Sequence, residues 1–180
     1  MKIVNMSTLN EKQQIQAAQI LVDELPIWMP TLEKATYEVT KRWSGETDSV
    51  LIAALNNDEV IGWCGLLSQN SGRVYEVHPL AVRNDWQRRG IGSALLNEVT
   101  NIAREKGGLT LHLGASDEKA SGETSFANVD LFDDLPRRIN EFDPGTHQAA
   151  FYLKHGFKII GVMPDQNGMG KPSIFFGKHL

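Results

Sequence analysis

The stretch whose reading decides the fold is Val74–Gly92, VYEVHPLAVRNDWQRRGIG. Its first half is an extended run, and its second half is a glycine-bearing turn that opens a helical pattern. Strand alternation puts Glu76, His78 and Leu80 at i, i+2 and i+4, on one face. Pro79 among them has no N–H to give a ladder, so it marks an edge, a bulge or a place where neighbouring strands part. In Gln87-Arg88-Arg89-Gly90-Ile91-Gly92, glycines let backbone N–H groups approach a ligand without interference from a Cβ. Two arginines stand beside them, and the helix that follows, about Gly90–Lys106, aims its unsatisfied first-turn donors and positive dipole end at the same spot. The ligand this suits is a pyrophosphate. Neither GxxxxGK[ST] nor GxGxxG occurs, which removes the P-loop and dinucleotide-binding fingerprints.

Working upstream, Glu59–Ser68 and Val50–Leu55 read as strands, joined by turn signals at Asn70-Ser71-Gly72 and Asn56-Asn57-Asp58 into a meander with Arg73–Arg83. Before them come a short strand, Ile3–Met6, a helix over Asn10–Asp23 with apolar residues at Ile15, Ala18 and Val22, breaks at Pro26 and Pro30, and a helix over about Thr31–Trp43 that ends before Ser44-Gly45. Downstream, Ile91, Leu95, Val99, Ile102 and Ala103 recur at helical spacing until Gly107-Gly108, and Leu109–Leu113 is a buried strand. Strand, helix and strand make a β-α-β crossover with the turn at the C-terminal end of its first strand, where ligands bind. Gly114–Thr146 is long and polar. A helix over Thr146–His155 and strands at Phe157–Val162 and Ser173–Lys178 close the chain. The expected architecture is α/β, or α+β, with one mixed sheet of six or seven strands, helices on both faces, and a single domain over residues 1–180.

Composition narrows the partners. The 180 residues are 41% hydrophobic and 22% charged, with a formal net charge of −4. That balance suits a globular protein without general affinity for nucleic acid, so the arginines near Gly90 read as a local site and the partner as a small molecule. No apolar run is long enough for a membrane span, no leader pattern is visible at the N-terminus, and a lone cysteine, Cys64, has no internal disulfide partner; a cytoplasmic location is expected. Cys64 sits in an apolar strand and reads as an inert thiol. His78, His112, His147, His155 and His179 have no metal-ligand spacing, so no metal is expected.

The motif at Gln87, Gly90 and Gly92 resembles the (Q/R)xxGx(G/A) acetyl-CoA pyrophosphate loop of GNAT-superfamily N-acetyltransferases. Over about residues 50–180 the chain resembles, more narrowly, the aminoglycoside 6′-N-acetyltransferases, through EVHPLAV at Glu76–Val82, GGLTLHLG at Gly107–Gly114, Asp130-Leu131-Phe132, and HQAAFYLKHGFKIIGVMPDQNGMGKPSIF ending at Phe175. The resemblance implies a GNAT-like fold, an antiparallel meander plus the crossover with splayed central strands, and acetyl-CoA as cosubstrate. It implies active-site roles for Glu76, His78, Leu80 and Tyr152, and cofactor binding by Leu80, Val82, Gln87, Arg88, Arg89, Gly90, Ile91 and Gly92. Acetyl transfer to an amine needs a base to take the ammonium proton, Glu76 or alternatively His78, and benefits from an acid for the departing sulfur, which the phenol of Tyr152 can supply.

Departures from the family pattern fall on the acceptor side. Met169-Gly170 and Ser173 stand where related sequences carry Trp-Asp and Asp, and Thr146-His147-Gln148 lacks an asparagine that many members use toward the cofactor. Gly114–Thr146 carries eight acidic residues against three basic ones, Lys119, Arg137 and Arg138, so Asp117, Asp130, Asp133 and Asp134 are candidates to attract a polycationic amine. The expected activity is direct acetyl transfer to such an amine, most simply an aminoglycoside. A GNAT enzyme for another metabolite amine or a peptide N-terminus, and a non-catalytic acyl-CoA sensor, are the alternatives. Oligomeric state stays open, with a homodimer among the options.

Overall fold

The computed structural model describes residues 1–40, 49–118 and 122–180. The strands are β1 (Lys2–Asn5), β2 (Val50–Asn56), β3 (Glu59–Gln69), β4 (Val74–Val82), β5 (Thr110–Ser116), β6 (Lys158–Met163) and β7 (Ser173–His179). The helices are α1 (Glu11–Glu24), α2 (Leu32–Thr40), α3 (Ile91–Glu105), α4 (Leu135–Asn140) and α5 (Ala149–Lys154). The strands form a seven-stranded sheet in the order β1-β2-β3-β4-β5-β7-β6, so β4 and β5 are neighbours joined through α3, as the crossover reading expects. The expected end of α2 at Trp43, the break at Ser44-Gly45, and Lys119 lie outside the described residues. Two compact units result, Met1–Leu111 with Leu180, and His112–His179.

In the first unit, β1 to β4 form the antiparallel meander. Helix α1 begins at a reciprocal capping box, in which Asn10 accepts from the Gln13 backbone N–H and Gln13 accepts from that of Asn10, each at 3.0 Å. Its buried stripe is Ala17, Ala18, Ile20 and Leu21, whereas Ile15, expected on that stripe, is 45% exposed. Trp63 of β3 is fully buried against this helix and donates its indole N–H to the Ala17 carbonyl at 3.0 Å. A buried indole without such an acceptor would lose about 1–3 kcal/mol. Helix α3 inserts Ile91, Leu95, Leu96, Val99 and Ala103, and the backbone at its end comes so close to Tyr75 that a Cβ at Gly108 would lie 2.8 Å from the ring. Only glycine fits there.

The pairing of β4 with β3 is irregular near the middle of β4. Val77 pairs with Leu66 and Leu80 with Cys64, so His78 and Pro79 together oppose Gly65 alone. This is a β-bulge, and a Cβ at Gly65 would sit 2.1 Å from the His78 carbonyl oxygen. The extra residue reverses the alternation of faces beyond it. Glu76, opposite Leu67, lies on the face of Trp63; Leu80, opposite Cys64, lies on the other. The expectation that Glu76 and Leu80 share a face is therefore corrected: Pro79 marks a bulge, and simple alternation does not run through it.

In the second unit, β6 and β7 form an antiparallel hairpin. The segment read from sequence as long and polar is packed and partly helical. Phe126 and Leu131 are buried in it, Phe126 meets the Phe142 ring at 4.7 Å between centroids, and Ser125 and Asp143 exchange hydrogen bonds that hold its two arms together. Scattered buried apolar side chains among many polar ones leave no periodic signature, which is why the segment reads as loop.

Candidate active site

The turn after β4 leads into a helix start that no side chain caps. Arg88 and Gly90 have left-handed backbone, φ 60° and 83°. Gly90 is the N-cap of α3, no side chain caps that end, and the first turn contains no acidic residue. The first intrahelical bond runs from Ala94 N–H to the Gly90 carbonyl at 3.0 Å, so donors ahead of it have no helical acceptor. Open space surrounds Gly90: an added Cβ would meet nothing within 4 Å. An uncapped helix start with convergent donors and room before it fits a pyrophosphate.

The side chains of the turn are held in place. The guanidinium of Arg89 stacks over Trp86 at 4.9 Å, while Arg83, 5.8 Å from the same ring, is paired with Asp85 at 2.7 Å and with Glu59 at 3.4 Å. These contacts with Asp85 raise the Arg83 pKa and lower that of Asp85. Gln87 donates its amide to Glu24 at 2.7 Å and to the Val82 carbonyl at 3.0 Å. Burial raises the Glu24 pKa, opposed by the bonds it receives from Gln87 and from the Asn84 backbone. Neither Glu24 nor Trp86 was selected from sequence. Trp86 was findable, since guanidinium groups favour Trp faces and two arginines follow it closely, but Glu24 lies 63 residues away from Gln87 and carries no local signal.

On β4, Glu76 is half-buried and accepts from the Gln69 amide at 2.8 Å, across the hairpin that joins β3 and β4. His78 lies in the bulge, and Leu80 and Val82 continue the strand into the turn. The strand and turn thus bring Glu76, His78, Leu80, Val82 and Gln87–Gly92 together along one continuous piece of backbone. Cys64, opposite Leu80, is fully buried, and burial pushes its thiol pKa far up, away from thiolate chemistry.

In the second unit, Tyr152 is 7% exposed on α5, stacked on Phe176 at 6.2 Å and edge-on to Phe151 and Phe157 at 5.2 and 5.8 Å. The four acidic candidates have unlike surroundings. Asp117 is fully buried and accepts from the Thr124 backbone N–H at 3.1 Å and from its hydroxyl, so it has no surface to offer a ligand. Asp130 receives the Phe132 N–H at 2.9 Å, and Asp134 caps α4 and pairs with Arg137 at 3.2 Å. Asp130, Asp133 and Asp134 are exposed. His147, buried beside Asp117, accepts from the Ala149 N–H through Nδ1 at 3.1 Å, and its Nε2 therefore carries the proton shared with the Ser116 carbonyl at 2.9 Å. Burial lowers its pKa, outweighing the opposing pull of Ser116 and Asp117. It ties the start of α5 to the end of β5. Among the described residues, no group of three or more His, Cys, Asp or Glu is arranged to hold a metal, and no helix is long and apolar enough to cross a membrane.

Residues 17–122, which include β2, β3, β4 with its bulge, and the turn that follows, match the Acetyltransferase (GNAT) family. The chain belongs to that family. Among solved structures this GNAT acetyltransferase is similar to an aminoglycoside 6′-N-acetyltransferase complexed with coenzyme A, at 28% identity and a TM-score of 0.91, with 99% of this chain and 97% of that one covered. It is similar also to the aminoglycoside 6′-N-acetyltransferase from Enterococcus faecium, at 28% identity, TM-score 0.89 and the same coverage, and to aminoglycoside 6′-acetyltransferase type Ii, at 27% identity and TM-score 0.75. No functionally curated protein matches it by sequence.

Proposed function

We propose that the chain is one catalytic domain, acting in the cytoplasm where acetyl-CoA is made available, that transfers acetyl directly to a primary amine of a small polycation, with the 6′-amine of an aminoglycoside as the leading acceptor. The observation that carries the reading is the unbroken run from the β4 bulge into the uncapped, left-handed start of α3, which sets a base and an anion cradle on one strand and its turn. The acceptor class is supported by likeness, over 99% of the chain, to enzymes named for aminoglycosides, and by the exposed Asp130, Asp133 and Asp134.

In this reading the backbone donors of Arg88–Gly92 and the guanidinium of Arg89 hold the pyrophosphate of acetyl-CoA, and Gln87 shapes the turn. Leu80 donates its backbone N–H to the thioester carbonyl, so the reversed direction of its side chain is immaterial. Glu76 takes the ammonium proton, directly or through water, with His78 as the second candidate base. The freed amine attacks the acetyl carbon, the C–S bond breaks, the Tyr152 hydroxyl gives a proton to the departing sulfur, and the second proton shed by the nitrogen as it becomes an amide restores the phenol. No acetyl-enzyme is formed, since the only cysteine is buried and held protonated. An amine panel with detection of free thiol tests the reading. Release of coenzyme A with aminoglycosides but not with peptide N-termini or simple monoamines supports it; the reverse selectivity moves the acceptor to another amine class, and acetyl-CoA binding without turnover on any amine makes the chain a sensor.

A further inference from the structure

We infer that Glu24, at the end of α1, is a positioning residue for acetyl-CoA: it holds the side chain of Gln87 and thereby fixes the shape of the pyrophosphate turn. The inference rests on the reading of that turn as the acetyl-CoA site. Gln87 has two amide hydrogens, and the structure spends both, one on Glu24 Oε2 at 2.7 Å and one on the Val82 carbonyl at 3.0 Å. A single amide therefore links the last residue of β4 to α1. Glu24 also receives the backbone N–H of Asn84, while the Gln87 backbone N–H closes on the Asn84 carbonyl at 3.1 Å. The carboxylate thus grips the 3-10 turn Asn84–Trp86 at both ends, from a helix of 14 residues that is itself fixed by its capping box and by Trp63.

The turn cannot hold itself. Arg88 is a non-glycine residue in left-handed backbone, a conformation that L side chains disfavour. Residues Gln87–Gly90 are all exposed, so burial does not fix them. An anchor from outside the loop is required to keep the donors convergent before the ligand arrives, and Glu24 is the anchor the structure supplies. A carboxylate is a poor neighbour for a pyrophosphate on charge alone. Its presence makes sense as a two-sided hydrogen-bond acceptor, with lone pairs enough for both the Gln87 amide and the Asn84 N–H.

Two effects, hydrogen bonding and charge, can be separated. Glu24→Ala removes both; Glu24→Gln keeps an acceptor oxygen and removes the charge. Binding of coenzyme A by calorimetry should weaken about tenfold in Glu24→Ala and stay within about twofold of wild type in Glu24→Gln. With an accepted amine, the KM for acetyl-CoA should rise in Glu24→Ala while kcat at saturation changes less than about twofold. Adding Glu24→Ala to Gln87→Ala should cost less than Glu24→Ala costs alone, because the Gln87 bond is already gone and only the Asn84 bond remains to be lost. Unchanged coenzyme A affinity in Glu24→Ala, failure of Glu24→Gln to rescue, or additive losses in the double variant each overturn the positioning role. If the wild-type protein binds no coenzyme A, the acetyl-CoA reading itself falls and takes this inference with it.

Discussion

The anion turn at Gln87–Gly92 and the acidic segment at Gly114–Thr146 make opposite use of their residues. In the turn, the ligand is to be met by backbone: left-handed φ at Arg88 and Gly90, an uncapped helix start, and few side chains in the way. In the segment, charge is carried by side chains, and the structure gives several of them other work: Asp117 is buried on Thr124, Asp134 caps α4, and Asp143 accepts the Gly145 N–H. Backbone geometry is written in local sequence because only certain residues tolerate it. Which of eight carboxylates faces a ligand depends on how a loop packs, and that is settled by contacts distant in the chain. Cofactor recognition should therefore be brittle to single substitutions and acceptor recognition graded.

The largest effect should come from Gly90→Asp. Aspartate is among the residues that best tolerate left-handed backbone, and space around Gly90 is open, so the fold should survive. The new carboxylate would stand where an anion is to be received, and coenzyme A affinity should fall by at least about 100-fold, whereas Gly90→Asn, matched in shape and backbone preference, should lose about tenfold or less. Equal losses in the two variants would assign the effect to backbone strain and remove charge from the account.

Next in size is Glu76→Gln, expected to lower turnover by about 100-fold near neutral pH and to recover in part at higher pH, where more of the acceptor amine is already deprotonated. Coenzyme A affinity should not move. A constant ratio of variant to wild type across pH would hand the base to His78. This experiment tests the boundary of the comparison, because Glu76 belongs to the backbone-dictated strand but acts through its side chain.

Much of the cofactor half was legible in sequence for the reason just given. Gly90, Gly92 and the hydrophobic repeat of α3 announce the turn and its helix, and the meander follows from alternating strands broken at Asn-Asp and Ser-Gly turns. The bulge was only half legible. Pro79 signals an interruption, but the side-chain reversal at Leu80 depends on Gly65 in another strand, which admits the His78 carbonyl. Glu24 was invisible because its partner lies in another element. In the second unit, a packed pair, Phe126 and Phe142, lies within a stretch whose composition is polar, so the hydrophobic pattern was too sparse to declare structure.

A smaller effect is expected from pH on the second unit. His147 is buried neutral, with its pKa lowered from 6.5 mainly by burial. Below about 6.5 the unfolded chain takes up a proton that the folded chain resists, so stability falls as pH drops through that value toward the lowered one and is unaffected above it. The melting midpoint should decline between pH 7 and pH 5.5, and His147→Gln should flatten that decline while costing about 1 kcal/mol or more at pH 7 through the lost bonds to Ala149 and Ser116. An equally steep decline in His147→Gln would place the responsible proton elsewhere.

The smallest and most diagnostic effect concerns the acceptor. If exposed carboxylates draw in a polycation, their contribution is a field rather than a fixed contact, and each charge adds little alone. Asp133 makes the cleanest probe, with Asp130 beside it, because Asp134 also caps α4 and its loss would confound field with fold. Changing Asp130 and Asp133 together to Asn should raise the KM for a polyamino sugar about three- to fivefold, leave acetyl-CoA affinity unchanged, and shift kcat little. The same KM should climb with added salt in the wild-type protein and climb less in the double variant, since charges separated by more than about 8 Å are screened at physiological ionic strength. A monoamine acceptor should show neither response. Salt-independent kinetics with a polyamine, or a KM insensitive to both substitutions, would mean that the acidic residues of this segment serve its own packing and solvation, and that the amine is chosen by shape at the side chains around it.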